Sequence, residues 1–127
     1  DGELIWRYLA DGEWTQDNYT GTLRYGKEHG RGVYVWGSGS EWPGKYEGGY
    51  RDGEGHGRGT MVSANGDRYE GDWEGSLPHG RGAILFANGD KCEGDWREGK
   101  LLGTGKGWVN GQLMKCVLDG GNIKFGE

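Results

Sequence analysis

Three histidines could do chemistry in this chain, since His29, His56 and His79 each begin a copy of the spelling His-Gly-Arg-Gly. Histidines bind zinc when their imidazole nitrogens all reach the ion at about 2.0 to 2.1 Å. Each copy belongs to one repeat of two strands, as described below. Equivalent residues of consecutive repeats are then two strands apart, a separation of roughly 9 to 10 Å. We therefore expect no metal site, and we interpret each histidine as a turn residue whose ring hydrogen-bonds the backbone.

Acidic side chains recur in the same pattern, at Glu47, Glu70, Asp72, Glu93 and Asp95. Two carboxyls catalyse glycoside hydrolysis when they flank a cleft and burial raises the pKa of one of them. A repeated open row has no such asymmetry, so we expect a solvated acidic face. The stretch GTGKG at residues 103–107 lacks the first glycine and the hydroxyl residue of a phosphate loop. We predict a protein that is not an enzyme and needs no cofactor.

The composition excludes several classes of partner. The chain has 127 residues, with 30 glycines, 7 tryptophans and a net charge of −5. A nucleic-acid duplex calls for a basic face, so no nucleic-acid partner is expected. The chain has neither the long apolar run of a membrane span nor the start of a signal peptide.

The two cysteines, Cys92 and Cys116, are too few for a disulfide scaffold. We place them on parallel strands with another strand between them, too far apart for the ~5.5 Å Cα separation of a disulfide. Cys92 then serves as a small apolar substitute for tyrosine. The expectation is a reducing compartment and a cytoplasmic location.

The elements that position these residues are repeats. The spelling YEGDWEGSLPHGRG from Tyr69 recurs from Tyr46, from Tyr19 and, in weaker form, from Cys92, at spacings of 27, 23 and 23 residues. Alternation over Tyr69, Gly71 and Trp73 has the period of two that is typical of a strand. The sequence predicts an all-β, single-layer antiparallel meander, with one turn at each His-Gly and hairpin turns near Asn65-Gly66 and Asn88-Gly89.

Counting from these turns predicts a register. Trp73 would lie opposite Gly82 and Tyr69 opposite Phe86, so that rings and glycines alternate along each row that crosses the sheet. Each ring would then cover the backbone of a neighbouring glycine. The aromatic residues would form a core one side chain thick.

The repeated units resemble MORN repeats, whose pattern is tyrosine, any residue, glycine, an aromatic residue two positions later, and then His-Gly-x-Gly. We divide the single domain, residues 1–127, into repeats at 19–45, 46–68, 69–91 and 92–114, with capping ends at 1–18 and 115–127. The fourth unit departs from the pattern, with Cys92 for tyrosine and Leu102 for histidine. The resemblance implies a twisted sheet of β-hairpins and a role in scaffolding or protein contacts, often near membranes or the cytoskeleton.

The leading functional hypothesis is a protein-interaction module. Two tryptophans are expected in long loops, and together with rings of the first half of the chain they would make one aromatic surface. We predict that a partner protein docks there as an extended segment or a helix, on Trp14, Tyr34, Trp36, Trp42, Tyr46 and Tyr50.

Two alternative functions stay open, and self-association is possible with any of them. A basic stripe along one edge of the sheet, made by Arg31, Arg58 and Arg81, would bind anionic phospholipid or phosphoinositide head groups. Tryptophans and carboxylates on an open β surface also suit a carbohydrate-binding module. The sheet edges would allow self-association.

Overall fold

The computed structural model describes residues 2–39 and 44–126, and these form one open sheet of 11 strands. Each strand pairs antiparallel with the next along the chain, so the order in the sheet is the order in the sequence. The predicted all-β, single-layer meander is confirmed. The strands are β1 (Gly2–Ala10), β2 (Glu13–Arg24), β3 (Lys27–Trp36), β4 (Gly44–Arg51), β5 (Glu54–Ser63), β6 (Arg68–Glu74), β7 (Leu77–Leu85), β8 (Lys91–Arg97), β9 (Lys100–Val109), β10 (Gln112–Asp119) and β11 (Asn122–Gly126).

The segments that were predicted as capping ends lie in the same sheet. Residues 2–10 form β1, which pairs along its whole length with the beginning of β2. At the other end, β10 pairs with β9 and β11 pairs with β10. Both end segments therefore continue the meander of the repeats.

Two kinds of turn join the strands. Tight turns at Asp52-Gly53 and Glu98-Gly99 have positive φ at both residues, the conformation that matches the twist of a hairpin. Longer turns contain the Asn-Gly pairs, and the amides of Gly66 and Gly89 close them by donating to carbonyl oxygens three residues earlier, at 2.9 Å. The predicted turns at Asn65-Gly66 and Asn88-Gly89 are confirmed.

The His-Gly pairs do not form turns, and this part of the prediction is wrong. His79 and Gly80 lie inside β7, where a bulge opens between the pairs Gly71↔Gly82 and Trp73↔Pro78. Gly80 has a φ of 108°, a conformation that glycine adopts with least strain.

The predicted bond from the histidine ring to the backbone is confirmed for two of the histidines. Nδ1 of His79 accepts from the amide of Glu98, and Nδ1 of His29 accepts from the amide of Asp52, both at 3.4 Å. Each acceptor lies in one repeat and each donor in the tight turn of the next. The histidine therefore ties consecutive hairpins together.

The bulge also makes the predicted register wrong by two residues. Gly71 lies opposite Gly82, and Tyr69 lies opposite Ile84. Glycine therefore pairs with glycine, in a row that crosses the sheet through Gly21, Gly32, Gly48, Gly59, Gly71, Gly82 and Gly94. The prediction that rings cover glycines is confirmed, but each ring covers a glycine diagonally across from it on the neighbouring strand. A Cβ built on Gly82 would collide with the ring of Tyr69.

The core is a layer of side chains on one face of the sheet, which we call the aromatic face. Its rings meet edge to face in an unbroken line, with centroids 4.9 to 5.3 Å apart. The line runs through Tyr19, Tyr50, Tyr46, Trp73, Tyr69 and Trp96. Indole nitrogens also fix it to the sheet, because Trp73 and Trp96 each donate to a glycine carbonyl at 3.0 Å.

A disulfide joins Cys92 to Cys116, so the prediction that these cysteines stay apart is wrong. They lie on either side of β9, opposite Gly107 and Gly105 respectively. The two glycines place no side chain between the sulfurs, and the sheet curves enough to bring the Cα atoms to 6.1 Å. A Cβ on Gly105 would lie 3.0 Å from Sγ of Cys116. The bridge is fully buried and replaces the ring that tyrosine supplies in the other repeats.

Candidate functional site

A groove of about 430 Å³ opens on the aromatic face, over the middle strands of the sheet. We call it the aromatic groove. The rings of Tyr46, Tyr50, Tyr69 and Trp73 line it, and Met61 lies among them. At its two ends it is lined by Trp36 on one side and by Leu77 and Pro78 on the other. The groove therefore runs in the direction of the strands, from one row of turns to the opposite row.

The groove exists because one position of the repeat is empty. The residue before each His-Gly pair, or its counterpart, points to the aromatic face: these residues are Glu28, Gly55, Pro78 and Leu101. Leu101 is buried and fills this position in the last repeat. Gly55 has no side chain there, so the space beside Tyr50 and Tyr46 remains open.

Four of the predicted partner-binding residues lie together on the aromatic face. Tyr34 lies directly opposite Tyr46 on the neighbouring strand, and its ring lies 4.7 Å from that of Trp36. The rings of Tyr46 and Tyr50 lie 5.2 Å apart. Trp36, Tyr46 and Tyr50, three of the six predicted partner-binding residues, line the groove.

Of the two tryptophans predicted in loops, the one that the structure describes does not join this surface. Trp14 lies in β2 opposite Leu9, so its placement in a loop is wrong. Thr15, Asp17 and Tyr19 are buried at alternate positions of β2, so Trp14 lies on the opposite face of the sheet. Trp14 is 73% exposed. Trp42 lies outside the described residues.

Sequence reasoning missed the later half of the groove, which consists of Met61, Tyr69, Trp73, Leu77 and Pro78. The sequence pattern predicts only that the rings of Tyr69 and Trp73 cover glycines, although a ring that covers glycine on one side can line a groove on the other. The available signal was the position before His-Gly, where a small residue at Gly55 is followed by larger ones at Pro78 and Leu101.

Burial raises the pKa of the phenols that line the groove. It raises the pKa of Tyr46 and of Tyr69 to about 12, against an ordinary value of 10.0. Burial also raises the pKa of Tyr50, with smaller contributions from neighbouring tyrosines and from Glu28. The lining is therefore apolar with neutral hydroxyl groups, which suits apolar side chains of a ligand.

A buried carboxylate organises the aromatic face at its N-terminal end. Asp17 is 6% exposed and accepts hydrogen bonds from the hydroxyls of Tyr8 and Tyr34 at 2.9 and 2.8 Å. The amide of Gly37 donates to the same carboxylate at 2.8 Å. Burial is the largest cause of a raised pKa at Tyr34, and the hydrogen bond from its own hydroxyl to Asp17 is the next largest. With three donors, the Asp17 carboxylate serves to hold the first hairpins together.

The predicted basic stripe lies on the other side of the sheet, which we call the charged face. Arg58 and Arg81 lie directly opposite Asp72 and Asp95, and each arginine Nη1 is 3.1 Å from its carboxylate partner. Arg31 lies opposite Gly49 and donates to the carbonyl oxygen of Arg58 at 3.3 Å. Two of the three arginines are therefore paired with acids.

Each recurring glutamate is paired with the basic residue two positions earlier in its own strand. Glu70 is 3.2 Å from Arg68, Glu93 is 3.7 Å from Lys91, and Glu47 is 3.9 Å from Lys45. The side chains are between about one third and two thirds exposed, as predicted for a solvated face. Among the residues that the structure describes, no group of three His, Cys, Asp or Glu side chains is placed to hold a metal ion. The described segments also contain no helix that is long and apolar enough to cross a membrane.

Comparison with known families gives one result. The family model described as MORN repeat matches residues 19–41, 46–68, 69–91 and 92–106. Each matched segment begins at the first residue of a repeat as the spelling defines it, so the recognised resemblance is confirmed. No curated protein matches the chain.

Proposed function

Because the chain belongs to the MORN repeat family, whose repeats generally serve as non-catalytic modules for protein or membrane interaction, we propose that it binds a partner protein through the aromatic groove. The observation that carries this proposal is the groove itself, about 430 Å³ of space lined by rings on the aromatic face. An extended segment or a helix of the partner would lie along it.

The rings are arranged to bind without rearrangement. Tyr46 and Tyr69 each meet Trp73 edge to face, at 4.9 and 5.2 Å, and the Trp73 indole is hydrogen-bonded to Gly59. Side chains that are already fixed lose little conformational entropy when a partner arrives. Burying one leucine or phenylalanine of the partner would contribute about 1.5 to 3 kcal/mol.

The lipid alternative relies on Arg31, Arg58 and Arg81, and the structure gives it less support than the sequence did. Arg58 and Arg81 would have to leave Asp72 and Asp95 before they could bind a head group. The adjacent row of Glu47, Glu70 and Glu93 would also repel an anionic membrane. The carbohydrate alternative has less support as well, since the rings in the line from Tyr19 to Trp96 are packed edge to face.

The cytoplasmic location stays a prediction, but one of its arguments no longer holds. That prediction relies partly on two unbonded cysteines, whereas Cys92 and Cys116 are joined. Disulfides persist mainly in oxidising compartments.

The test fills the groove without disturbing the fold. A Cβ on Gly55 would make ordinary contacts of 3.5 Å with Ser76 and Tyr46, and leucine occupies the equivalent position in the last repeat as Leu101. Peptides selected on the parent protein from a displayed random library should therefore bind Gly55→Leu about tenfold or more weakly. The matched control is Thr60→Leu, which adds a leucine to the charged face and should bind like the parent.

Two outcomes would contradict this function. One is a library selection that enriches no peptide, or peptides that bind Gly55→Leu as well as they bind the parent. The other is tight, salt-sensitive binding to phosphatidylcholine vesicles that contain phosphatidylserine, lost in the Arg58→Ala and Arg81→Ala double variant, which would favour the lipid alternative.

A further inference from the structure

The aromatic face carries an acid whose burial the fold does not explain. Glu28 is 9% exposed and occupies the position before His-Gly, where the later repeats have Gly55, Pro78 and Leu101. Within residues 2–39 and 44–126, its carboxylate has no hydrogen bond and no ion pair. Buried carboxylates are ordinarily paired, as Asp17 is on the same face.

A second buried polar group without a partner lies close to the first. The hydroxyls of three other tyrosines each donate to the carbonyl oxygen three residues ahead, at 2.8, 2.9 and 3.4 Å: Tyr19 to Thr22, Tyr46 to Gly49 and Tyr69 to Asp72. Tyr50 is 8% exposed, and in the described part of the chain its hydroxyl has no such acceptor. Tyr50 lines the aromatic groove.

Glu28 and Tyr50 lie at the same end of the groove. Tyr50 pairs with Gly55 in the hairpin whose tight turn contains Gly53. The amide of Gly53 donates to the carbonyl oxygen of Glu28, and a Cβ on Gly53 would lie 3.8 Å from the Glu28 Oε1 atom. A ligand in the groove that extends past Tyr50 therefore approaches the Glu28 carboxylate.

We propose that the groove selects a partner segment in which apolar side chains are followed by one lysine or arginine, whose charged group binds Glu28 and Tyr50. This inference rests on the proposed function and specifies the chemistry of the partner. Lysine and arginine offer donors only, and both the Glu28 carboxylate and the Tyr50 hydroxyl accept. The aliphatic stem of such a side chain packs on rings while its charge reaches the carboxylate. The overall charge of −5 also favours a basic partner.

The experiment compares two variants that remove the same charge. Peptides are selected from a displayed random library on the parent protein, on Glu28→Gln and on Glu47→Gln. Glu28→Gln keeps the shape of the side chain on the aromatic face, and Glu47→Gln makes the same change on the charged face. Melting temperatures of both variants verify that they are folded.

We expect the parent and Glu47→Gln to enrich peptides with apolar residues and one basic residue at a fixed spacing from them. Glu28→Gln should keep the apolar preference and lose the basic one. In a selected peptide, replacing the basic residue by norleucine should weaken binding to the parent about tenfold and leave binding to Glu28→Gln nearly unchanged.

Three results would overturn the inference, and they separate it from the function on which it rests. Enrichment of apolar peptides without a basic residue leaves the proposed function standing and refutes the role of Glu28. A basic preference that persists in Glu28→Gln refutes it in the same way. A selection that enriches nothing refutes both.

Discussion

Cys92 and Cys116 are bonded to each other across β9, on the aromatic face and above Gly105 and Gly107. The bond fastens β8 to β10 at the last repeat, where no tyrosine or tryptophan covers the glycines. A covalent bond therefore takes the place of the ring packing that Tyr46 and Tyr69 supply in the middle of the sheet.

The first prediction concerns this bond. Replacing both cysteines by serine should lower the free energy of unfolding by about 2 to 4 kcal/mol, because the crosslink restricts the unfolded chain and its loss also exposes packed sulfur. Urea denaturation with and without reductant measures the effect. Reductant should destabilise the parent and leave the double serine variant unchanged; equal stability of parent and variant would contradict the role assigned to the bridge.

The second prediction concerns the row of glycines. A Cβ on Gly71 would lie 2.5 Å from the carbonyl oxygen of Arg81 and 2.8 Å from the Tyr69 hydroxyl. Gly71→Val should therefore destabilise the sheet by about 1 to 3 kcal/mol or more, since backbone cannot move aside without breaking pairs. The control Glu70→Val adds the same side chain to the charged face. Thermal denaturation that finds equal melting temperatures for the two variants would refute the glycine row.

The third prediction concerns alkaline pH. Burial raises the pKa of Tyr46 and of Tyr69 to about 12, while the same side chains ionise near 10 when the chain is unfolded. The stabilising contribution is complete below pH 10 and is lost as the pH rises toward 12, because over that range the unfolded state releases protons that the folded state retains. Melting temperatures should fall over this interval.

The Tyr46→Phe and Tyr69→Phe variants serve as the controls for that measurement. Each removes one titrating hydroxyl and leaves the ring in place, so the decline with pH should be less steep than in the parent. A decline of equal steepness in the parent and both variants would attribute the alkaline sensitivity to other groups.

The fourth prediction separates the two faces by their tryptophans. Trp73 is 5% exposed, lines the groove and donates to the carbonyl of Gly59, so Trp73→Ala should cost about 3 to 5 kcal/mol of stability. Trp14 is 73% exposed on the opposite face, so Trp14→Ala should change stability by no more than about 0.5 kcal/mol. Peptide binding in Trp14→Ala should equal that of the parent. A large loss of binding there would place the partner site on the charged face.

The sequence by itself determined the class of fold and the face on which each repeated side chain lies. Alternation with a period of two is a property of each strand alone, and it places Tyr69 and Trp73 on one face and Glu70 and Asp72 on the other whatever the strand pairs with. The Asn65-Gly66 and Asn88-Gly89 turns are equally local, since each needs a positive φ at its second residue, which glycine adopts readily. A shift of the register by two residues leaves every side chain on the same face of the sheet. The prediction that rings cover glycines is therefore correct although the predicted register is not.

The tertiary structure alone decided the features that depend on distances between strands. The bulge at Gly80 arises from the way in which β7 pairs with β6, so counting residues from a turn could not reveal it. The Cys92–Cys116 bond needs the curvature of the sheet at β9, which accumulates from many strand pairs. The groove needs Gly55 from one hairpin to stand beside rings from two others, and Arg58 finds Asp72 through the same register. The alternation of side chains along a strand and the sequence of a turn depend on a few neighbouring residues. Strand register, sheet curvature and contacts between strands form only when the strands pack together.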